Sequence, residues 1–190
     1  DGYVGATETS KALLHWWFDT PHFVPKHDAP DEEFRYYFAQ REAMETIIYL
    51  HDVVGARDKF DLMRFDSVGL VSANMFDETW SRFVVRMATG PGKTKVLGLA
   101  VAWSFYSKLY EPDSTLSRNF LVIAPTIIVL DRLYRDFRGL RMFFEDPVIP
   151  DDGVGGRSWR DDFQLTVHRQ DNVRLTQPTG NIFLTNIHRV

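Results

Sequence analysis

The chain has 190 residues and a formal net charge of -4, with 44% hydrophobic and 14% aromatic residues. That is enough apolar material for a buried core, which excludes a disordered tail, and the acidic balance excludes a basic protein that coats nucleic acid. The absence of cysteine excludes disulfides and thiolate zinc sites and is compatible with the cytosol. Charged residues interrupt every apolar run before it reaches bilayer length, and the acidic Asp1 and Glu8 do not suit a secretory leader. Starting at Asp1 and stopping in mid-pattern at Val190, the sequence reads as a fragment, with residues 1–30 an amino-terminal lead and 31–190 the main domain.

In chain order, Thr9 to Phe18 suits a short buried helix with Ser10 as its N-cap. Pro21, Pro25 and Pro30 then predict loop. His15, His22 and His27 lack ligand spacing and read as core or solvated histidines rather than a metal site. From Phe34 to Leu50, an apolar stripe of Ala43, Ile47 and Leu50, led by Tyr36 and Phe38, predicts a helix. Gln40 is either the solvated start of that helix or an amide whose donor and acceptor pair the edge of an adenine. Gly55 ends the helix, and Ser67-Val68-Gly69 reads as a turn. Asp77-Glu78-Thr79 has no apolar strand leading into it and reads as surface.

The informative stretch is Phe83-Val84-Val85-Arg86-Met87-Ala88-Thr89-Gly90-Pro91-Gly92-Lys93-Thr94-Lys95. A β-branched run, a glycine-rich turn and a helix-competent segment from Val96 to Leu109 make a strand, a phosphate-cradling loop and a helix. Glycines let backbone N–H groups turn inward around phosphate oxygens, and the new helix points its positive end at the same anion. Lys93 then lies along the outer phosphates and the Thr94 hydroxyl holds Mg²⁺, which makes these two the catalytic candidates. Met87 stands where the general motif has a first glycine.

The helix to Tyr110 is apolar nearly all round, and Gly98 within it marks close packing. Glu111-Pro112-Asp113-Ser114 closes it. Asn119 to Thr126 predicts a fully buried parallel strand ending in a loop, and strand–helix–strand implies a right-handed crossover. In the helical segment Ile127 to Phe137 and beyond, Arg132, Arg135, Arg138 and Arg141 recur every third residue and drift around a helix, as a solvated face or a phosphate track. Residues 145–162 read as an acidic, glycine-rich loop. Pro150-Asp151 with Asp162-Phe163-Gln164 mimics a nuclease core only loosely, because Gln164 stands in place of the lysine. Phe163, Leu165 and Val167, a turn at Gln170-Asp171-Asn172, then Val173 and Leu175 alternate like half-buried strands. Asn181 to Asn186 is the last apolar strand.

Ala88 to Thr94 resembles motif I of superfamily-two helicases, which commonly lacks the first glycine. The aromatic lead with Gln40 resembles their Q-motif, Ala124-Pro125-Thr126 their motif Ia, and the strand ending in Thr185 and Asn186 their motif Ib-to-Ic region. Together these resemble most closely the restriction subunit of type III restriction enzymes and its DEAD/DEAH-like relatives. The resemblance implies an α/β, RecA-like P-loop NTPase fold with a mostly parallel sheet flanked by helices, here an incomplete first motor domain over 31–190. It implies ATP and Mg²⁺ as cofactors, held by Gln40, Thr89, Gly90, Pro91, Gly92, Lys93, Thr94 and Lys95. Pro125, Thr126, Thr185 and Asn186 would contact DNA, with double-stranded DNA and a DNA-methylation subunit as partners.

Pro91 departs from the pattern, since it has no N–H to offer a phosphate. No Walker B acid, arginine finger or second RecA-like domain is present, so the expectation is weak nucleotide binding without turnover by this chain alone. A non-motor P-loop switch or kinase, and a degenerate scaffold, are the alternatives; Gln40 and Ala124-Pro125-Thr126 favour the motor.

Overall fold

The computed structural model describes residues 2–26, 29–56, 58–64, 66, 68–69, 84–88, 90, 92–172 and 176–189. The first helix, α1 (Glu8–Asp19), starts earlier than the sequence suggests. Thr7 is the N-cap, accepting from the Ser10 N–H at 3.2 Å. Ser10 is instead buried one turn inside, where its hydroxyl accepts from the Trp103 indole at 2.8 Å. Leu13, Leu14 and Trp17 enter the same core as the rest of the chain. Two indole N–H groups, of Trp16 and Trp17, bind the Pro147 and Val148 carbonyls and so tie the amino-terminal residues to a distant segment.

The proline-rich stretch is a hairpin rather than a loop: β1 (His22–Lys26) pairs antiparallel with β2 (Ala29–Phe34). A two-stranded ribbon has only edges, where a missing N–H is tolerated, and the register shifts between Val24 and Lys26, at Pro25. His22 is buried, with Nε2 2.6 Å from the Trp16 carbonyl. Burial holds its pKa below the usual 6.5, against the opposing pull of that carbonyl and of Asp151. The unfolded chain therefore takes up the proton first as pH falls. This contribution to stability is full above about pH 6.5 and lost as pH drops through the folded value. Unfolding free energy measured from pH 7.5 to 5 is expected to fall, and the slope to flatten in His22→Gln.

Helix α2 (Phe38–Ile48) continues into a π-helical turn at Tyr49–Val53, and Gly55 follows at φ +64. The buried positions are Gln40, Met44 and Ile48, one residue round from the predicted stripe, and Phe38 is exposed. A short α3 (Lys59–Met63) follows. Residues 84–88 form no strand, and Val84 is 90% exposed. No described strand lies beside them to complete a ladder, so their β propensity is not expressed. Phe83, Ser67 and Asp77-Glu78-Thr79 lie outside the described residues.

Helix α4 (Lys93–Tyr110) is the centre of the molecule, packed by α1, α2 and α6 (Arg141–Glu145). Leu99, Ala102, Phe105 and Tyr106 are buried along it. Gly98 does mark close packing, since a Cβ there would lie 2.6 Å from Met142 Cε.

Strands β3 (Asn119–Ala124), β4 (Thr166–Arg169) and β5 (Asn181–Asn186) form a parallel sheet in the order β3-β5-β4, with α5 (Ile127–Phe137) in the connection after β3. Phe120, Val122, Ala124, Val167, Ile182 and Leu184 share one face and join the core. The other face is not covered as predicted: Leu121 is 61% and Ile123 45% exposed. β3 is the sheet's edge among the described residues, and only its alternate side chains reach the core. Phe163 and Leu165 are buried before β4 rather than alternating within a strand, and Val173 and Leu175 lie outside the described residues. The acidic loop at 145–162 contains a short helix, α7 (Trp159–Asp162), whose indole is fully buried. Among the described residues no helix is long and apolar enough to cross a membrane.

Candidate functional site

The turn into α4 carries Gly90 at φ +98 and Gly92 at φ +69, both in the left-handed region that favours glycine. Thr89 and Pro91 lie outside the described residues. Gly92 is the N-cap of α4 and, lacking a side chain, caps nothing. Its own N–H closes on the Gly90 carbonyl at 2.9 Å, and Lys95 N–H returns to the Gly92 carbonyl at 2.9 Å. The N–H groups of Lys93 and Thr94 have no acceptor among the described residues. Nor do the Lys93 ammonium and the Thr94 hydroxyl have partners there. An 18-residue helix thus opens with bare donors, its positive end and one unpaired cation together.

Lys95 behaves differently. Its ammonium pairs with Asp146 and lies 4.9 Å from the centre of the Phe34 ring. Neither partner was legible in the sequence, because both are more than 50 residues away in one direction or the other.

Gln40 is 1% exposed. Its Oε1 accepts the Tyr37 N–H at 2.8 Å, and its Nε2 donates to the Gly92 carbonyl at 3.3 Å. The amide therefore sits beneath the glycine turn, and a Cβ on Gly92 would collide with it. The solvated helix start expected from position alone is not what forms. Third in α2, Gln40 folds back on its own N-terminus, which turns its side chain inward.

Beside the turn lies an open cavity of about 570 Å³. Gly92, Thr94 and Lys95 form one wall, Arg132, Arg135 and Asp136 of α5 another, and the α6 segment from Arg141 to Asp146 the third. Lys93 is not among its lining residues. The arginines do not drift as a continuous helix would carry them. The chain breaks at Gly139 (φ +66) and Leu140 (φ +58), and this corner swings Arg141 back to the cavity while Arg138 stays outside it.

The carboxyl end of the sheet gathers the other candidates. Ala124 is level with Asn186, so Pro125 and Thr126 leave β3 beside the end of β5. Thr126 is the N-cap of α5, its hydroxyl accepting from Val129 N–H at 3.3 Å. Thr185 donates to Gln170 Oε1 at 3.1 Å, and the same oxygen accepts Asn186 N–H at 3.0 Å. Asn186 Oδ1 is buried and has no hydrogen-bond partner among the described residues. Gln170 lies in the turn after β4, as its sequence suggests, and its side chain also braces the end of β5, which only the parallel register reveals.

The remaining acids are engaged separately. Asp162 accepts from the Tyr110 hydroxyl at 2.7 Å, and Asp151 pairs with Arg160 at 3.1 Å. His15 pairs with Asp19, and His27 lies outside the described residues. Among the described residues no group of three or more histidines and carboxylates is placed to hold a metal.

A family model described as type III restriction enzyme, res subunit, matches residues 32–190. No curated protein and no solved structure matches the chain.

Proposed function

Because the chain belongs to the family of the type III restriction enzyme res subunit, we propose that residues 32–190 are the ATP-binding part of a DNA-dependent motor with a RecA-like fold. The family is helicase-like, and this α/β chain with its parallel sheet suits it. One observation carries the reading: among the described residues, the first backbone donors of α4, the Lys93 ammonium and the Thr94 hydroxyl have no partner, directly after two glycines at positive φ.

The residues suit MgATP. Residues 89–92 are assigned to phosphate, with Gly90 and Gly92 the positions whose positive φ is described, Lys93 to its outer oxygens and the Thr94 hydroxyl to Mg²⁺. When bound, ATP supplies a phosphoanhydride whose hydrolysis drives movement. Gln40 holds the turn in shape through the Gly92 carbonyl, and is the candidate for the adenine edge. Lys95 supports the site through Asp146. The DNA contacts are assigned to Pro125, Thr126, Thr185 and Asn186, at the carboxyl end of the sheet, where open parallel sheets bind their ligands. Double-stranded DNA is the proposed track and a DNA-methylation subunit the proposed partner. Turnover needs a metal-holding acid and groups that position water, and the sequence supplies no strand running into such an acid after the glycine turn. The chain by itself is expected to bind without hydrolysing.

Titration with fluorescent MgATP tests the reading. Removing one charge-assisted contact costs about 1.5–3 kcal/mol, or roughly ten- to a hundredfold in affinity. Lys93→Ala is expected to weaken binding by at least about tenfold. Equal binding by wild type and Lys93→Ala would sink it.

A further inference from the structure

We propose that the cavity between the start of α4 and the α5–α6 corner is a second phosphate site, in which Arg132 and Arg135 grip a phosphate group that Lys93 does not reach. The proposal deepens the motor reading and rests on it. Arg132 and Arg135 stand three apart on α5, so their side chains share one helix face. Both are exposed and both line the cavity.

The charges in the cavity are not self-cancelling. Lys95 is taken by Asp146, and Arg141 by Glu145 through two contacts of 2.8 and 3.2 Å. With these pairs set aside, Arg132 and Arg135 face the single carboxylate Asp136, and neither arginine has an ion-pair or hydrogen-bond partner among the described residues. Guanidinium offers a planar fork of donors that matches phosphate oxygens two at a time. The floor is firm, because Met142 packs against Gly98 of α4. A cavity of about 570 Å³ is of the size that holds small phosphorylated ligands.

The site is also placed to connect the two assigned ends of the motor. Its α4 wall contains Thr94 and the N-cap Gly92, while α5 is capped by Thr126, one of the residues assigned to DNA. Arg132 lies about 9 Å along the helix from Thr126, at 1.5 Å rise per residue. Phosphate is the shared chemistry of two sources, the tail of a nucleotide and the backbone of a DNA strand.

Two titrations of the 190-residue chain separate them: MgATP without DNA, and a short labelled duplex without nucleotide, each at low and raised salt. The Arg132→Ala/Arg135→Ala double variant is expected to bind one of these ligands at least about tenfold more weakly, for two lost charge-assisted contacts. Its DNA arm would also lose salt dependence if DNA is the source. Arg138→Ala, exposed on the same segment but outside the cavity, is expected to match wild type. The inference is overturned if the double variant binds both ligands within about twofold of wild type, or if wild type binds neither. Lys93→Ala run beside it distinguishes the failures. Loss in Lys93→Ala with none in the arginine variant removes only the second site; no loss in Lys93→Ala removes the motor reading.

Discussion

Replacement of Trp159 by alanine is expected to lower the unfolding free energy by about 3–5 kcal/mol, the range for removing a large buried aromatic side chain. The indole is 0% exposed although it sits in a four-residue helix within an acidic, glycine-rich stretch. Its ring meets Tyr106 edge-on at 4.7 Å and Tyr110 at 5.3 Å, and the Arg157 guanidinium lies 5.2 Å from its centre. Its N–H donates to the Val154 carbonyl at 2.7 Å, while its backbone carbonyl accepts from the buried Tyr106 hydroxyl. Alanine would leave a cavity among these rings and free the Val154 carbonyl. Urea denaturation followed by far-UV circular dichroism measures the change. Trp159→Phe should recover more than half of the loss, because most of it is apolar contact. A midpoint unchanged in Trp159→Ala would show that the 154–162 segment is not anchored by this ring.

Gly92→Ala is expected to reduce MgATP affinity by at least about a hundredfold and to cost about 2–5 kcal/mol of stability, for two separable reasons. At φ +69 a residue with a Cβ is strained by roughly 1–2 kcal/mol. That same Cβ would collide with the Gln40 amide, displacing a buried group whose hydrogen bonds to Tyr37 N–H and the Gly92 carbonyl cost about 1–3 kcal/mol to lose. Introducing Gly92→Ala into a Gln40→Ala background should remove the collision but keep the backbone strain. The double variant would then show a smaller Gly92→Ala effect than wild type does. If the effect is the same in both backgrounds, Gln40 does not support the turn.

These two positions differ in how far they could be read in advance. Gly92 was legible, since a glycine between a turn and a helix start points to positive φ by local sterics alone. The helix after the glycine turn, expected from Val96 and observed from Lys93, its closure at Glu111, and the break at Thr126 before α5 were legible for the same reason. Each depends on a few adjacent residues. Trp159 was not legible, because the loop-like composition around it outweighs one aromatic residue, and its partners lie about 50 residues away on α4. The prolines of the β1–β2 hairpin misled in a related way. They forbid a ladder hydrogen bond at their own positions, but an antiparallel ribbon uses only alternate residues for each edge.

The sequence by itself determined the glycine turn, the helix that follows it and the residue types that meet there, because backbone sterics and helix-end donors act over a few residues. Tertiary structure alone decided that Gln40 lies buried under that turn, that Lys95 is tied to Asp146 while Lys93 has no partner among the described residues, and that Gly139 and Leu140 turn Arg141 into the cavity with Arg132 and Arg135. Those pairings join segments tens of residues apart or hinge on a corner in the chain. Their geometry follows from how α2, α4, α5 and α6 pack together, which no local pattern of residues encodes.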